Sequence, residues 1–429
     1  MPVSLAEFNS RRTPYTTQFF ATPGATRTVM ICSHIWWTEQ MALALLNLGY
    51  NVLVYEPLYL LYTEEAAFDT FDTLWAQAIA VIRRMKVEVM IGGNAAALAP
   101  HPGTGELLHN AAGVPLVNYW WDEPRSEPPF AGRGIGPEAY LGALRDERTL
   151  NVVWDVDVLE ELGAFCGVRN TVHVPLACLP EFWPSGFVAV EQRPLAACFL
   201  GNCHFACAWC ETDVDPLVAW ARAAIDRKQA AQDRPLAECI AAAGAIPEQT
   251  RHLRADAARP EWRRFVLPWE ILNSVWMHRT RNLLVQAAER HLHGKLALIG
   301  KGWNQLGLRA NSEHAGEKSG MVYAQSRASL NLFGGCVHGG MPLRPFDITA
   351  SGGLLVTHYQ RELPGLFEIG RECVAFRNQG EMIEALDRIQ RDPASYTEMA
   401  LAGRRRTLAD HTWSRRMAAV MAAARERFG

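Results

Sequence analysis

The feature that most limits what this chain can fold into is a repeated alternation of short apolar runs with helical patterns. Runs at residues 28–32, 51–55 and 87–91 are separated by stretches whose apolar residues recur every three or four positions. Such alternation predicts right-handed βαβ units and buried parallel sheets. We therefore predict an α/β fold made of doubly wound, Rossmann-like domains.

A proline-rich segment at residues 175–194 divides the chain into two such series. A length of 429 residues also exceeds what one hydrophobic core usually supports. We assign residues 1–190 to an N-terminal domain and 191–412 to a C-terminal domain with a helical insertion at about 228–262. Residues 413–429 are predicted to form one last helix. No G-x-G-x-x-G motif follows the first strand, so the dinucleotide fingerprint is absent.

Composition excludes some classes of partner. Lys and Arg number 42 against 45 Asp and Glu, which leaves a net charge of −3 and predicts no nucleic-acid partner. The start lacks the apolar core of a signal peptide, and no apolar run reaches about 18 residues. We therefore predict a cytoplasmic protein without a transmembrane segment, whose ten cysteines are mostly reduced thiols. The oligomeric state is not predicted.

The stretch 339–357 reads G-G-M-P-L-R-P-F-D-I-T-A-S-G-G-L-L-V-T and combines a glycine pair, a helix start and a buried strand. Gly339 and Gly340 let the backbone approach a ligand closely, and the prolines at 342 and 345 fit only a first helical turn. Free N–H groups and the helix dipole favour an anion at such a start. We predict an anion site here, formed by Gly339, Gly340 and Met341.

Two charged side chains follow on the same helix face. Arg344 lies in the first turn, where a cation opposes the helix dipole, and Asp347 is one turn later. One interpretation is an intrahelical ion pair. In the other, Arg344 clamps an anionic ligand and Asp347 is free for a sugar hydroxyl.

This stretch and its flanks resemble the C-terminal domain of GT-B glycosyltransferases, glycosyl transferases group 1, and most closely the CgeB-like spore-maturation group. The matching pieces are Y-A-Q-S-R-A-S-L-N-L at 323–332, L-R-P-F-D-I-T-A-S-G-G-L-L-V-T at 343–357, E-L-P-G-L-F-E-I-G-R-E at 362–372 and A-G-R-R-R-T-L-A-D-H-T-W-S-R-R at 402–416. The resemblance implies two domains facing a cleft and a final helix that crosses back to the first domain. It also implies that Asp347 holds the ribose of a sugar nucleotide and that the preceding loop meets the diphosphate. The broader retaining pattern has two glutamates eight positions apart, where this chain has Gly339 and Asp347.

A second loop of the C-terminal domain contributes further candidates. The motif G-K-G-W follows a predicted strand at 296–300. Lys301, beside Gly300, would add a cation at the diphosphate, and Trp303 would pack against the base or the sugar. The alternatives are a solvated lysine and a tryptophan packed into the core.

Glycosyl transfer with inversion needs a base, and three residues are candidates: His34 after the first strand, Asp122 after the fourth, and His338 in the loop before Gly339. An imidazole suits proton transfer near neutral pH. A retaining enzyme needs no protein base, and all three would then be binding residues.

Cys203, Cys207 and Cys210 have the C-x3-C-x2-C spacing of a radical S-adenosylmethionine iron–sulfur site, which is the alternative function. A zinc site that adds His204 is a further possibility. Residues 211–290 lack the strand rhythm of a (β/α) barrel, and no cobalamin loop precedes them. A non-catalytic protein that binds sugar nucleotides is the third class.

We therefore predict a hexosyltransferase-type GT-B glycosyltransferase that binds a nucleotide-sugar donor on its C-terminal domain. No metal and no cofactor beyond this co-substrate is expected. The acceptor would be a glycan, a protein hydroxyl or a small molecule bound to the N-terminal domain.

Overall fold

Two parallel sheets with flanking helices make up the protein in a computed structural model. The structure describes residues 17–32, 38–57, 71–94, 96–101, 103–125, 136–179, 186–203, 209–248, 260–311 and 318–429, together with Phe8, Ser10 and Trp183. Strands and helices alternate through both halves of the chain, as the apolar pattern predicts.

The first sheet has the strand order β1-β3-β2-β4-β5-β6-β7. The interior strand β2 pairs in parallel with β3 and β4, and every residue of β2 is buried, which explains its mostly apolar sequence. Only β1 is antiparallel, and it pairs with β3 at the edge of the sheet. Strand β1 is not visible in the sequence pattern, because an edge strand that is half exposed carries no continuous apolar run. The strands are β1 (Thr17–Phe20), β2 (Thr28–Cys32), β3 (Asn51–Tyr55), β4 (Val87–Gly93), β5 (Leu116–Trp120), β6 (Thr149–Val153) and β7 (Thr171–His173).

The helices of this half cover both faces of the sheet. They are α1 (Thr38–Asn47), α2 (Phe71–Arg84), α3 (Leu108–Ala112), α4 (Pro137–Leu144) and α5 (Val156–Cys166). The start of α5 is set by Asp155, whose carboxylate accepts hydrogen bonds from the N–H groups of Asp157 and Val158.

The second sheet has the order β12-β11-β10-β8-β9 and is entirely parallel. The order reverses between β8 and β10, and ligands in such sheets bind beyond the carboxyl ends of the strands near the reversal. The strands are β8 (Leu195–Leu200), β9 (Leu296–Ile299), β10 (Ser326–Asn331), β11 (Leu355–His358) and β12 (Val374–Phe376).

Between β8 and β9 the described chain is entirely helical, with α6 (Trp209–Thr212), α7 (Pro216–Ala230), α8 (Leu236–Ala242), α9 (Pro260–Met277) and α10 (Leu283–His291). A π-helical segment, His278–Asn282, joins α9 to α10. Buried apolar residues from Cys210 to Ile240 and from Leu267 to Trp276 form a cluster of their own, which extends beyond the insertion predicted at 228–262 on both sides. This helical unit also reaches the first domain, where Trp269 stacks on the Arg125 guanidinium at 3.6 Å.

The remaining helices pack on the second sheet, except for the last one. They are α11 (Ser319–Ala324), α12 (Leu343–Ala350), α13 (Leu363–Leu366), α14 (Gln379–Arg391), α15 (Thr397–Asp410) and α16 (Trp413–Phe428). The final helix α16 packs against α1, and the Trp413 ring lies 5.5 Å from that of Trp121 in the first domain. In the described part of the chain, no helix has the length and apolarity needed to cross a bilayer.

Candidate functional site

Arg344 of α12 lies at the carboxyl ends of the two central strands of the second sheet. Its Nε donates to the Leu200 carbonyl at 2.8 Å, and its Nη1 donates to Asn331 Oδ1 at 3.1 Å and to the Leu332 carbonyl at 3.0 Å. Its guanidinium is 5.0 Å from the centre of the Phe199 ring. The structure therefore places Arg344 at the edge of the sheet where a ligand of this fold binds.

A second guanidinium, that of Arg281 in the π-helical segment, lies beside it. Arg281 is 6 % exposed, donates from Nη1 to the Asn202 carbonyl at 3.0 Å, and lies 5.8 Å from the same Phe199 ring. Within the described residues its buried Nε has no hydrogen-bond partner, and no carboxylate forms an ion pair with it. Arg281 was not predicted as a site residue, because it lies in an Arg-rich helical stretch without a motif.

The two cations are unfavourable neighbours in the absence of a ligand. Burial, reinforced by the charge of Arg344, lowers the pKa of Arg281 to about 9. Burial also lowers the pKa of Arg344, against the opposing effects of Tyr323 and Asp347. Arg281 is buried, Arg344 is half-buried, and within the described residues no carboxylate forms an ion pair with Arg281. A bound anion would offset the desolvation of these two charges, and pairs of this kind concentrate at functional sites. The arrangement can hold a group with at least two negative charges, such as a diphosphate.

The glycines before α12 have a different role from the predicted one. We call residues 334–341 the donor loop. A side chain on Gly339 would lie 2.3 Å from Asp157 Cγ, and one on Gly340 would lie 2.7 Å from Asp155 Cα. The N–H groups of His338 and Gly339 donate to Asp155, at 2.8 and 3.1 Å. The close approach that these glycines permit is to the first domain.

Met341 is occupied in the same way, since its N–H donates to Glu362 Oε2 at 3.0 Å. Glu362 in turn contacts His173, at the end of β7, at 2.9 Å. In this arrangement the N–H groups of His338, Gly339 and Met341 all face carboxylates of the protein. The anion site at Gly339, Gly340 and Met341 stays a prediction, and the two guanidinium groups are a second candidate for binding an anion.

His338, proposed as a base, is fully buried between the domains. Its Nδ1 lies 3.1 Å from the Glu161 carboxylate, and its Nε2 lies 2.8 Å from Asn273 Oδ1. Burial disfavours the charged imidazole, but Glu161 outweighs it and raises the pKa of His338. Both ring nitrogens are engaged, so His338 in this arrangement joins the domains and has no nitrogen available to a substrate hydroxyl.

The loop after β9 is mostly structural. Trp303 is 1 % exposed and donates from its indole nitrogen to the Gly201 carbonyl at 2.8 Å, so it packs in the core rather than against a ligand. Lys301 is exposed, and its backbone N–H donates to Asn202 Oδ1 at 2.9 Å. Gly300 has φ of 144° and packs directly against the Gly201 carbonyl.

Asp347 and Arg344 diverge, although they are one turn apart. No ion pair joins them in the described structure; Asp347 Oδ1 accepts a hydrogen bond from the Leu179 N–H at 3.3 Å. The charge of Asp347 still acts on Arg344, because it opposes the lowering of the Arg344 pKa. Whether Asp347 contacts a ribose stays a prediction.

Asp122 is the candidate base that the structure describes and that is exposed. Asn94, with φ of 50°, donates from Nδ2 to Asp122 Oδ2 at 2.8 Å and accepts from the Trp121 N–H at 2.8 Å. Burial raises the pKa of the Cys336 thiol to about 12, with Asp122 adding to the rise and Arg281 opposing it. The charges of Asp122 and Arg281 therefore both act on the same thiol of the donor loop.

Two other sequence predictions fall partly outside the described residues. His34 lies outside them, as do Cys207 and His204. Cys203 and Cys210 are buried, and within the described residues no group of three or more His, Cys, Asp or Glu side chains has a metal-binding arrangement.

A protein family and several solved structures are similar to this chain. Residues 279–422, which include both arginines, match a family model described as glycosyl transferase-like. A glycosyltransferase from Rickettsia africae has a similar structure, with a TM-score of 0.50, 8 % identity, and coverage of 94 % of this chain and 99 % of that one. The fold is GT-B. Below, the half that contains the first sheet is called the first domain. The half that contains the second sheet is called the donor domain, after its predicted ligand.

Two other similar structures have lower scores. Sucrose-phosphate synthase from Thermosynechococcus elongatus has a TM-score of 0.48 at 13 % identity, over 94 % of this chain and 99 % of that one. HepE from Anabaena, solved in complex with UDP, has a TM-score of 0.44 at 10 % identity, over 94 % and 100 %. No curated protein is significantly similar in sequence.

Proposed function

We propose that this protein transfers a sugar from a nucleotide diphosphate sugar to a hydroxyl acceptor. The observation that carries the proposal is the pair of guanidinium groups, that of buried Arg281 and that of half-buried Arg344, at the carboxyl edge of the second sheet. They lie within the segment that matches the glycosyl transferase-like model. The motifs at 343–357 and 402–416 lie in the same segment and support the CgeB-like group.

The leaving diphosphate develops negative charge as the glycosidic bond breaks. Guanidinium groups match phosphate oxygens in geometry and stay charged at neutral pH. We propose that these two groups neutralise the leaving group, which is the role that a divalent metal has in other transferases. Turnover is then expected to persist in EDTA at the rate seen with added Mg²⁺.

Asp122 is the residue we propose as base for an inverting reaction. It lies at the carboxyl edge of the first sheet, Asn94 orients its carboxylate, and its charge acts on the same donor-loop thiol as the charge of Arg281. An acceptor hydroxyl between them would give its proton to Asp122 as its oxygen attacks the anomeric carbon and the diphosphate leaves.

Titration calorimetry with UDP, GDP, dTDP and CMP tests the donor site. We expect one of the three diphosphates to bind, and CMP, which has one phosphate, to bind more weakly because it cannot span both arginines. The hexose conjugates of the binding nucleotide form the second arm. If no diphosphate binds, or if CMP binds best, the proposed donor is wrong.

The substitution Asp122→Asn tests the base. Loss of a general base typically lowers kcat by about 10²–10⁴-fold. Nucleotide affinity should stay at the wild-type value, because Asp122 lies on the other domain. A variant with wild-type kcat would refute this role, and the reaction would then be of the retaining kind or use another base.

A further inference from the structure

One carboxylate of the first domain binds two backbone segments at once. Asp155 follows β6, and its Oδ1 accepts from the N–H groups of Asp157 at 2.9 Å and Val158 at 3.2 Å, which caps α5. Across the domain interface, Oδ2 accepts from the His338 N–H at 2.8 Å, and both oxygens lie within 3.2 Å of the Gly339 N–H.

The contact leaves no room for anything between the two segments. Asp155 is 1 % exposed, and its Cα would lie 2.7 Å from a side chain placed on Gly340. The two surfaces are complementary. The donor loop has no side chains at 339 and 340, and the Asp155 carboxylate faces its N–H groups.

The donor domain also forms ion pairs with Asp157, two residues after Asp155 in the same turn. Asp157 Oδ2 lies 2.7 Å from Lys228 Nζ, and Asp157 Oδ1 lies 2.9 Å from Arg361 Nη2. Lys228 and Asp157 are both fully buried. Two cations of the donor domain therefore fix the turn that carries Asp155, so that its carboxylate is aimed at the donor loop.

The donor loop leads directly to the anion site. At the other end of the loop, a side chain on Gly334 would lie 3.1 Å from Arg281 Nη2. The charges of Arg281 and Asp122 both act on the pKa of the Cys336 thiol in the same loop. A change in the loop at His338 and Gly339 would therefore shift the backbone that borders Arg281.

We propose that Asp155 is a positioning residue: its carboxylate clamps the donor loop from the acceptor-side domain and so makes the shape of the donor site depend on contact between the domains. The proposal rests on the proposed function for its catalytic meaning. The clamp itself is a property of the ligand-free protein and is measurable without substrate.

The substitution Asp155→Asn separates the clamp from the helix cap. Asparagine caps a helix about as well as aspartate, so one oxygen still serves Asp157 and Val158. The other oxygen becomes an NH₂ group that faces the His338 N–H and cannot accept from it. Loss of a hydrogen bond to a charged group should make exchange of the His338 and Gly339 amides about 10–100-fold faster in hydrogen–deuterium exchange.

Two further variants complete the experiment. Gly340→Ala places a methyl group against Asp155 Cα and so pushes the donor loop away, while Asp155 keeps the carboxylate that caps α5; it should give the same faster exchange. Asp215→Asn is the matched control, because Asp215 caps α7 through the Leu217 N–H in the donor domain. It should leave exchange at His338 and Gly339 unchanged.

Kinetics supply the second readout. We expect Asp155→Asn to lower kcat for the identified nucleotide sugar by about tenfold or more, with the Kd of the free nucleotide unchanged, because Arg281 and Arg344 still bind the diphosphate. Wild-type exchange in both Asp155→Asn and Gly340→Ala would overturn the clamp. Faster exchange with wild-type kcat would overturn the positioning role. If the wild-type protein binds no nucleotide, the proposed function fails, while exchange still decides the clamp.

Discussion

Removing the charge of Arg281 should stabilise the ligand-free protein while weakening its nucleotide binding. The pKa of this guanidinium falls from 12.5 to about 9. Each pKa unit corresponds to about 1.4 kcal/mol, so the buried charge costs about 5 kcal/mol without a ligand. Because the folded pKa is lowered, this cost is fully present below pH 9, including at neutral pH.

The substitution Arg281→Met keeps most of the side-chain length and removes the charge. It also leaves the Asn202 carbonyl without its donor at 3.0 Å, which costs about 1–3 kcal/mol. The free energy of unfolding should therefore rise by about 2–4 kcal/mol, measured by urea denaturation without ligand. Affinity for the nucleotide diphosphate should fall about 10–100-fold, since a hydrogen bond to a charged group contributes about 1.5–3 kcal/mol.

Arg279→Met is the matched control, two positions away in the same helical segment. Arg279 forms ion pairs with Glu211 and Asp226, and the hydrogen bond to Glu211 is the main cause that raises its pKa. Its loss should lower stability slightly and leave nucleotide affinity unchanged, which is the opposite pattern. If Arg281→Met destabilises the protein, or binds nucleotide as tightly as wild type, Arg281 is a structural arginine and our reasoning is wrong.

Three other predictions follow from the contacts described. Trp413→Ala should lower the free energy of unfolding by about 3–5 kcal/mol in urea denaturation, because it empties a buried site between the domains. The stabilising effect of His338, measured as the difference in unfolding free energy from His338→Gln, should be largest between about pH 4.5 and 6.5. Above pH 6.5 this stabilising effect declines, because the pH rises through the raised pKa of His338. Below pH 4.5 it declines as the pH falls towards the pKa of Glu161, which His338 and Arg125 hold at about 2 despite burial. Asn94→Gly, which keeps the φ of 50° without strain, should lower kcat about 10–100-fold by releasing Asp122, with nucleotide affinity unchanged.

Each of these predictions has a result that contradicts it. A loss below about 1 kcal/mol in Trp413→Ala would mean that α16 is not part of the cooperative core. A pH-independent difference for His338→Gln would mean that the imidazole is neutral in the folded protein. Wild-type kcat in Asn94→Gly would mean that Asp122 acts without being oriented by Asn94.

The sequence predicted the elements whose burial is uniform. Strand β2 and helix α16 have the predicted bounds because a fully apolar run and a long amphipathic pattern each have one structural interpretation. The start of α12 was also predicted, since Pro342 lies at its N-cap and fits no later position. Short helices such as α4 and the edge strand β1 were missed because they lack a long periodic signal.

The site was harder to predict because its parts come from distant segments. The motif around Arg344 was visible in the sequence, whereas Arg281 is 63 positions earlier in a helix and is brought to it only by the sheet. Gly339 and Gly340 were correctly interpreted as places of close approach. What approaches them is Asp155, which is 184 positions from Gly339, and no local pattern identifies that partner.

The crossing of α16 to the first domain has a consequence for protein engineering. Trp413, Met417 and Val420 belong to the same apolar core as Val29 and Tyr119, although 413–428 follow the donor domain in the chain. A chimera designed to exchange acceptor preference must therefore move this carboxy-terminal segment together with the amino-terminal half. A chimera joined only within the linker would pack the amino-terminal half of one protein against the α16 helix of the other.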